Sequence, residues 1–276
     1  MAKLKKINPL KMLIEGRTTS ELPRPYLGMS QLGGTCTRQL WYSFRWCYVR
    51  VHTPKQKRIF ERGDLEEPRI IKDLESIGVK VSGDQTELVG FAGHCKGHVD
   101  AILENVPPHP SKTLLGEFKT ANMASFKTFA DKGCKIASPR YYTQCQVYMK
   151  YLKLDYCLFI VTNKNNEERH YEIIPYNETA AQAAEDVAID VIQAEEPPPK
   201  IGGPTWFECK FCDAYDICHY NEEIHRCCRN CAKVQIKPEG VWYCTKYNRN
   251  LDHAEQSINR TKRSCYIPLL VPEQSS

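Results

Sequence analysis

Two carboxylates and an amine, Asp100, Glu117 and Lys119, sit in stretches that otherwise read as apolar strands, GHVDAIL from Gly97 and TLLGEFKT from Thr113. Carboxylates converging at a strand edge make a hard oxygen site suited to Mg2+ or Mn2+, which keep water ligands and take up phosphate oxygens. An amine on the same face can orient or activate an attacking water and stabilise the negative charge that builds on phosphorus. Those parts are sufficient for phosphodiester hydrolysis. An ion-paired sheet edge is the plainer alternative.

The elements must bring these groups together. Alternation and β-branched or aromatic content mark both stretches as strands, with the turn-rich NVPPHPSK between them. A period of two puts Glu117 and Lys119 on one face and Phe118 on the other, and neighbouring strands would add Asp100. Further strands are expected at Val79–Val81, Glu87–Phe91, Tyr156–Thr162 and Arg169–Ile174. Helices are expected from an N-cap at Ser30 to Arg45, over Lys55–Ile77 with a break near Gly63, and at Ala124–Lys132, Pro139–Leu152 and Glu178–Gln193. AEEPPPKIGGP, Ala194–Pro204, reads as a linker. The order implies an α/β chain with a mixed sheet flanked by helices.

The chain has 276 residues and 42% hydrophobic content, enough for one large core or two modest ones. Its apolar runs fall well short of the roughly 20 residues a membrane span needs, and the basic start shows no signal peptide, so a cytoplasmic setting without membrane partners is expected. In that compartment 14 cysteines point to metal ligation in place of disulfides. A net charge of +5 is modest. Its basic clusters, Lys3–Lys11, Arg50–Arg62 and Asn259–Arg263, with aromatics interleaved over Leu40–Arg50, tilt toward phosphate contact.

The GHVD and EFK stretches resemble the signature of PD-(D/E)XK nucleases, with Val99 where Pro or Gly usually precedes the Asp. The resemblance covers residues 25–220 or so and implies a restriction-endonuclease-like fold in which Asp100 and Glu117 bind the metal and Lys119 serves the water. QCQVY, Gln144–Tyr148, is similar to the Q-x-x-x-Y element of the RecB-like branch; one helical turn places Gln144 and Tyr148 on a shared face. There the pair is implied to contact DNA or hold the Lys. GDLEEP is the counterpart of a helix that supplies another metal ligand, which offers Glu66, with Glu67 as its neighbour. An exposed helix carboxylate paired with Arg62 or Arg69 is the alternative for Glu66.

Cys209, Cys212 and Cys218 form C-x-x-C-x5-C, one ligand short of a tetrahedral set. Cys36 as the fourth makes the pattern similar to the iron–sulfur version of this fold in AddB and the CRISPR-adaptation nucleases, which implies a [4Fe–4S] cluster stapling the first helix to the chain's end. Zinc at the same cysteines is the alternative. Residues 1–220 would then be the nuclease domain and 221–276 a cysteine-rich module, in which Cys228, Cys231, Cys244 and Cys265 suit structural Zn2+, with Cys227 and His253 as substitutes. Lys246, Arg249, Arg260, Lys262 and Arg263 would make that module a DNA-holding appendage or a stabilising cap.

The resulting expectation is an exonuclease acting on DNA with free ends, in recombination, repair or other DNA processing, of phage or mobile-element type. No G-x-x-x-x-G-K-[ST] motif is present, so a helicase or recombination partner would be a separate chain. A cysteine-rich DNA-binding scaffold that does not cleave is the competing class.

Overall fold

The computed structural model describes residues 8–83, 85–258 and 265–269. Its centre is a five-stranded sheet in which β1 (Lys80–Ser82), β2 (Ala101–Glu104), β3 (Leu114–Ala121), β4 (Tyr156–Asn163) and β5 (Arg169–Pro175) lie in the order β5-β4-β3-β2-β1. Only β3 and β4 run parallel; the other three pairings are antiparallel. The parallel pair needs a crossover, supplied by α4 (Met123–Ala137) and α5 (Pro139–Leu152). Each starts on a side-chain cap: Asn122 accepts from Ser125 N and Ser138 from Tyr141 N.

Alternation along β3 separates two cores. Leu114 and Phe118 join Ile70 and Leu74 of α3 (Glu67–Ser76), together with Leu158 and Ile160 of β4. Leu115 joins Phe159, Val161, Val147 and the small residues Ala184 and Ala188 of α6 (Glu178–Gln193) on the other face. β4 is apolar on both sides because helices cover both, as its YCLFIV run requires. The mixed sheet flanked by helices is therefore present. Among the described residues, no helix is long and apolar enough to cross a membrane.

Three elements differ from the sequence reading. The helix expected from Ser30 begins only at Thr37, as α1 (Thr37–Phe44), after a single turn at Met29–Gln31. Gly33 explains the gap: a Cβ there would lie 2.6 Å from Arg140 Cα, so the loop is pressed onto α5 where a helix could not pass. The strand expected through Gly97–Leu103 divides into Cys95–His98, which pairs with Leu27–Gly28 and Glu87–Gly90 in a separate sheet, and β2. Asp100 occupies the crossing between the two sheets. The Leu40–Arg50 aromatics are core: Trp41, Tyr42, Phe44, Trp46 and Tyr48 are all buried and offer no surface for stacking on bases.

Residues Val234–Lys237, Val241–Cys244 and Arg249–Leu251 form an antiparallel sheet whose core is continuous with the rest of the chain. Trp242 packs on Phe44 with ring centroids 5.2 Å apart. Arg229, fully buried, stacks between Trp46 and Trp242 at 4.0 and 4.4 Å and donates to the carbonyls of Pro25 and Phe44. The hairpin turn also docks without side chains, since a Cβ on Gly93 would lie 2.5 Å from Gly240 N, and Gly240 N donates to Ala92 O. Trp242→Ala is therefore expected to cost about 3–5 kcal/mol. Calorimetry should show one transition moved down as a whole, because the shared core leaves no separate unit to melt.

Candidate active site

The crossing at Val99–Asp100 positions the first carboxylate. Asp100 is 8% exposed and accepts from Phe118 N at 2.7 Å, which ties it to the middle of β3. Glu117 is fully buried; its Oε1 accepts from Gln144 Nε2 at 2.6 Å and from Lys119 Nζ, while its Oε2 has no partner. An unpartnered buried carboxylate oxygen is costly. Burial, then repulsion from Asp100, push the Glu117 carboxyl up to about 8 against the pull of Lys119.

Lys119 extends between the two carboxylates. Its ammonium lies 3.5 Å from Asp100 Oδ2 and donates to the Phe118 carbonyl at 3.1 Å. Burial alone would lower its proton affinity, yet Asp100 and Glu117 together hold it well above the ordinary amine range. The two carboxylates thus favour its charged form.

Helix α5 supplies the layer behind. Gln144 anchors Glu117, and the Tyr148 ring packs where a Cβ on Gly97 would lie 2.5 Å away, which explains a glycine at that strand position. Burial raises the Tyr148 phenol above its usual range, and the hydroxyl is held by the backbone of His98. Tyr141, one turn before Gln144, places its ring 5.5 Å from Lys119 Nζ. Sequence reading passed over it, although Tyr141, Gln144 and Tyr148 share one helix face.

The two candidate helix carboxylates part company. Glu66 is 2% exposed and accepts from Arg69 at 2.9 Å, Arg169 at 3.0 Å and Thr162 at 3.2 Å. It is committed to holding α3 against β4 and β5. Glu67, at the first position of α3, accepts from Gln85 Nε2 at 3.3 Å. Burial, then Asp100, push its carboxyl up to about 7. Asp100, Glu117, Lys119 and Gln144 thus come together, with Glu67 within electrostatic reach and Glu66 engaged by Arg69, Thr162 and Arg169.

The donor set fits a divalent cation. Asp100 raises the carboxyls of both Glu67 and Glu117, so a cation near it would relieve both. Among the described residues no three His, Cys, Asp or Glu side chains could by themselves hold a metal ion. Mg2+ commonly takes only one or two carboxylates and completes its shell with water and substrate phosphate.

The early and late cysteines also meet. Cys36 is the N-cap of α1, its sulfur accepting from Gln39 N at 3.4 Å, and it lines one small cavity with Cys209, Cys212 and Cys218. Burial raises the thiols of Cys36, Cys209 and Cys212, and each is raised further by its neighbours: Cys218 acts on all three and Cys36 on Cys209 and Cys212. Converging thiols that resist ionising together are what a bound cation would reverse.

In the C-terminal sheet Cys228 and Cys231 bracket one turn. Cys244 pairs with Val234, three residues past Cys231, and Pro268, three past Cys265, bridges to Cys231. Cys231 and Cys244 thus lie near the same end of the sheet. Cys227 turns away toward the carbonyls of Arg45 and Trp46, and His253 packs edge-on against Trp46. Arg249 pairs with Glu255 and Lys246 lies over Tyr247. Arg260, Lys262 and Arg263 lie outside the described residues, as do Lys3, Lys5 and Lys6 of the first basic cluster.

No protein-family profile matches the chain, and no curated protein does. Among solved structures it is similar to LHK-Exo, an alkaline exonuclease from Laribacter hongkongensis, at 14% identity and a TM-score of 0.45, covering 60% of this chain and 86% of that one. It is also similar to a phage-related exonuclease from Haemophilus somnus 129PT, at 14% identity and a TM-score of 0.46, covering 60% and 91%.

Proposed function

We propose that the chain is a divalent-metal-dependent deoxyribonuclease of the RecB-like PD-(D/E)XK kind that shortens DNA from its ends. One observation carries this reading: Glu117 is wholly buried with one oxygen unpartnered, and it sits beside Asp100 with Lys119 between them. A structural ion pair gains nothing from the leftover oxygen, whereas a ligand for a cation requires it.

Asp100 and Glu117 would hold the cation, and Glu67, in place of Glu66, would act on it through charge. Mg2+ or Mn2+ there would polarise the scissile phosphate. Lys119 aims a donor at the attacking water and offsets charge growing on the phosphoryl oxygens. Gln144 keeps the Glu117 carboxylate from rotating, and Tyr148 braces the strand that leads to Asp100. Helix α2 (Pro54–Asp64) buries none of its residues and carries Lys55 and Lys57, with Arg58 and Arg62 paired to Glu15 and Glu167, upstream of Glu67, as a backbone guide for DNA would.

Cys36, Cys209, Cys212 and Cys218 hold a [4Fe–4S] cluster as a staple. A cluster takes one thiolate per iron, so its cysteines need not crowd a single ion. Structural zinc within residues 221–276 would require Cys228, Cys231, Cys244 and Cys265 to draw together on one ion, since no three of the described thiols meet as a metal site in this structure. Cys209→Ser is expected to remove the iron absorbance and lower the melting temperature together, as loss of a long-range staple should. Full iron content in that variant would refute the assignment.

End-labelled linear and closed circular DNA, incubated with anaerobically purified protein in Mg2+ or Mn2+, test the main reading. Shortening of the linear substrate, survival of circles and an inert Asp100→Ala control are expected. If neither substrate is cut by metallated protein, a DNA-binding scaffold replaces the enzyme. Co-purification from cells that make the protein would show whether a helicase or recombination protein accompanies the chain.

A further inference from the structure

Lys119 has an aromatic neighbour besides its polar partners. Its ammonium meets Glu117, Asp100 and the Phe118 carbonyl, and it also lies over the Tyr141 ring, 5.5 Å from the centroid. The ring has aromatic neighbours of its own. It stacks on Phe129 at 6.3 Å with planes 16° apart, lies 6.3 Å from Phe159, and its backbone N donates to the Ser138 cap. Phe129 and Phe159 are themselves buried.

We propose that Tyr141 is a positioning residue that holds the Lys119 ammonium through the face of its ring. This rests on the nuclease reading for its consequence, though not for the contact. When Asp100 and Glu117 give their oxygens to a cation, their hold on Lys119 weakens, because a carboxylate shares its charge among its partners. The Phe118 carbonyl and the ring then remain. A carbonyl fixes one donor direction, and the ring, attractive to a cation over its whole face, stops the head group from swinging away from the water it must meet. The same service could not come from an acid, which would neutralise the charge that the reaction uses.

The test separates ring electronics from ring shape. Tyr141→Phe keeps the ring and is expected to cleave within about twofold of wild type, which also excludes a role for the hydroxyl. Mono-, di- and trifluorinated phenylalanine at the same position keep the shape while draining the ring face. They should lower kcat stepwise, by ~10-fold at the third fluorine, with KM for DNA unchanged. Tyr141→Leu should fall at least as far. In metal-free protein the Lys119 methylene protons should show an upfield ring-current shift that Tyr141→Leu abolishes. Equal activity across the fluorinated series, or Lys119 signals unmoved by Tyr141→Leu, would overturn the proposal. A wild-type protein that cuts nothing would instead remove the nuclease reading, and the ring-current shift alone would then decide whether Tyr141 holds the lysine.

Discussion

Lys119→Ala is expected to lower the cleavage rate ~10³-fold in saturating Mg2+ while DNA affinity and iron content stay at wild-type levels. The size follows from the role. An ammonium poised in a mostly buried site stabilises charge that exists only in the transition state, so its loss falls on kcat in full. Its ammonium is engaged by Asp100, Glu117 and the Phe118 carbonyl, which leaves it no share in ground-state DNA binding. The geometry also sets the control. In metal-free protein, removing Lys119 leaves Asp100 and Glu117 as neighbouring buried carboxylates, so folding must be verified with the divalent ion present. Lys119→Arg separates charge from aim: its planar head cannot retain the Phe118 carbonyl and the Tyr141 face together, so most of the loss should persist. A loss below about tenfold in the alanine variant, measured by quenched time courses on end-labelled DNA, would reduce Lys119 to a structural counter-ion.

The facing of Glu117, Lys119 and Phe118 was legible because a strand has one period, and local alternation decides it without knowledge of the fold. Gln144 and Tyr148 were legible as a face of one helix for the same reason. Asp100 was legible as a residue but not as a place. The switch between sheets at Val99–Asp100 depends on which strands pair, and GHVDAIL reads as one unbroken strand until Leu27–Gly28 and Glu87–Gly90 claim its first half. Glu66 and Glu67 show the limit most sharply. Adjacent residues at a helix start point roughly 100° apart, and nothing local tells which carboxylate will meet Arg169, since that arginine arrives from β5. The Leu40–Arg50 aromatics misled in the opposite sense. Composition alone cannot distinguish a stacking platform from a core, and the answer came from Trp242 and Arg229, distant in sequence, closing over them.

Glu117→Gln is expected to abolish cleavage and yet to make the metal-free protein more stable above neutral pH. Glu117 titrates at about 8 in the fold against an ordinary 4.5. Below the lower value the carboxyl is protonated in folded and unfolded chains alike, and its burial costs nothing extra. Between the two the unfolded chain releases a proton that the folded chain retains, so stability falls as pH rises, by a few kcal/mol in all. Glu67, raised to about 7, adds to the loss over the lower part of the same window. Glutamine has no proton to lose, keeps an oxygen for Gln144, and removes the Glu117 share of the dependence. A divalent cation has the same effect on the wild type by pairing with the anion, and it cannot do so in the variant. Thermal melts in chelator at about pH 5 and about pH 8 should therefore show a drop for wild type and a shallower one for Glu117→Gln, with Mg2+ restoring the wild type alone. Parallel curves for the two proteins would mean that Glu117 is ionised and satisfied in the metal-free fold, and the case for a cation at its unpartnered oxygen would fall with it.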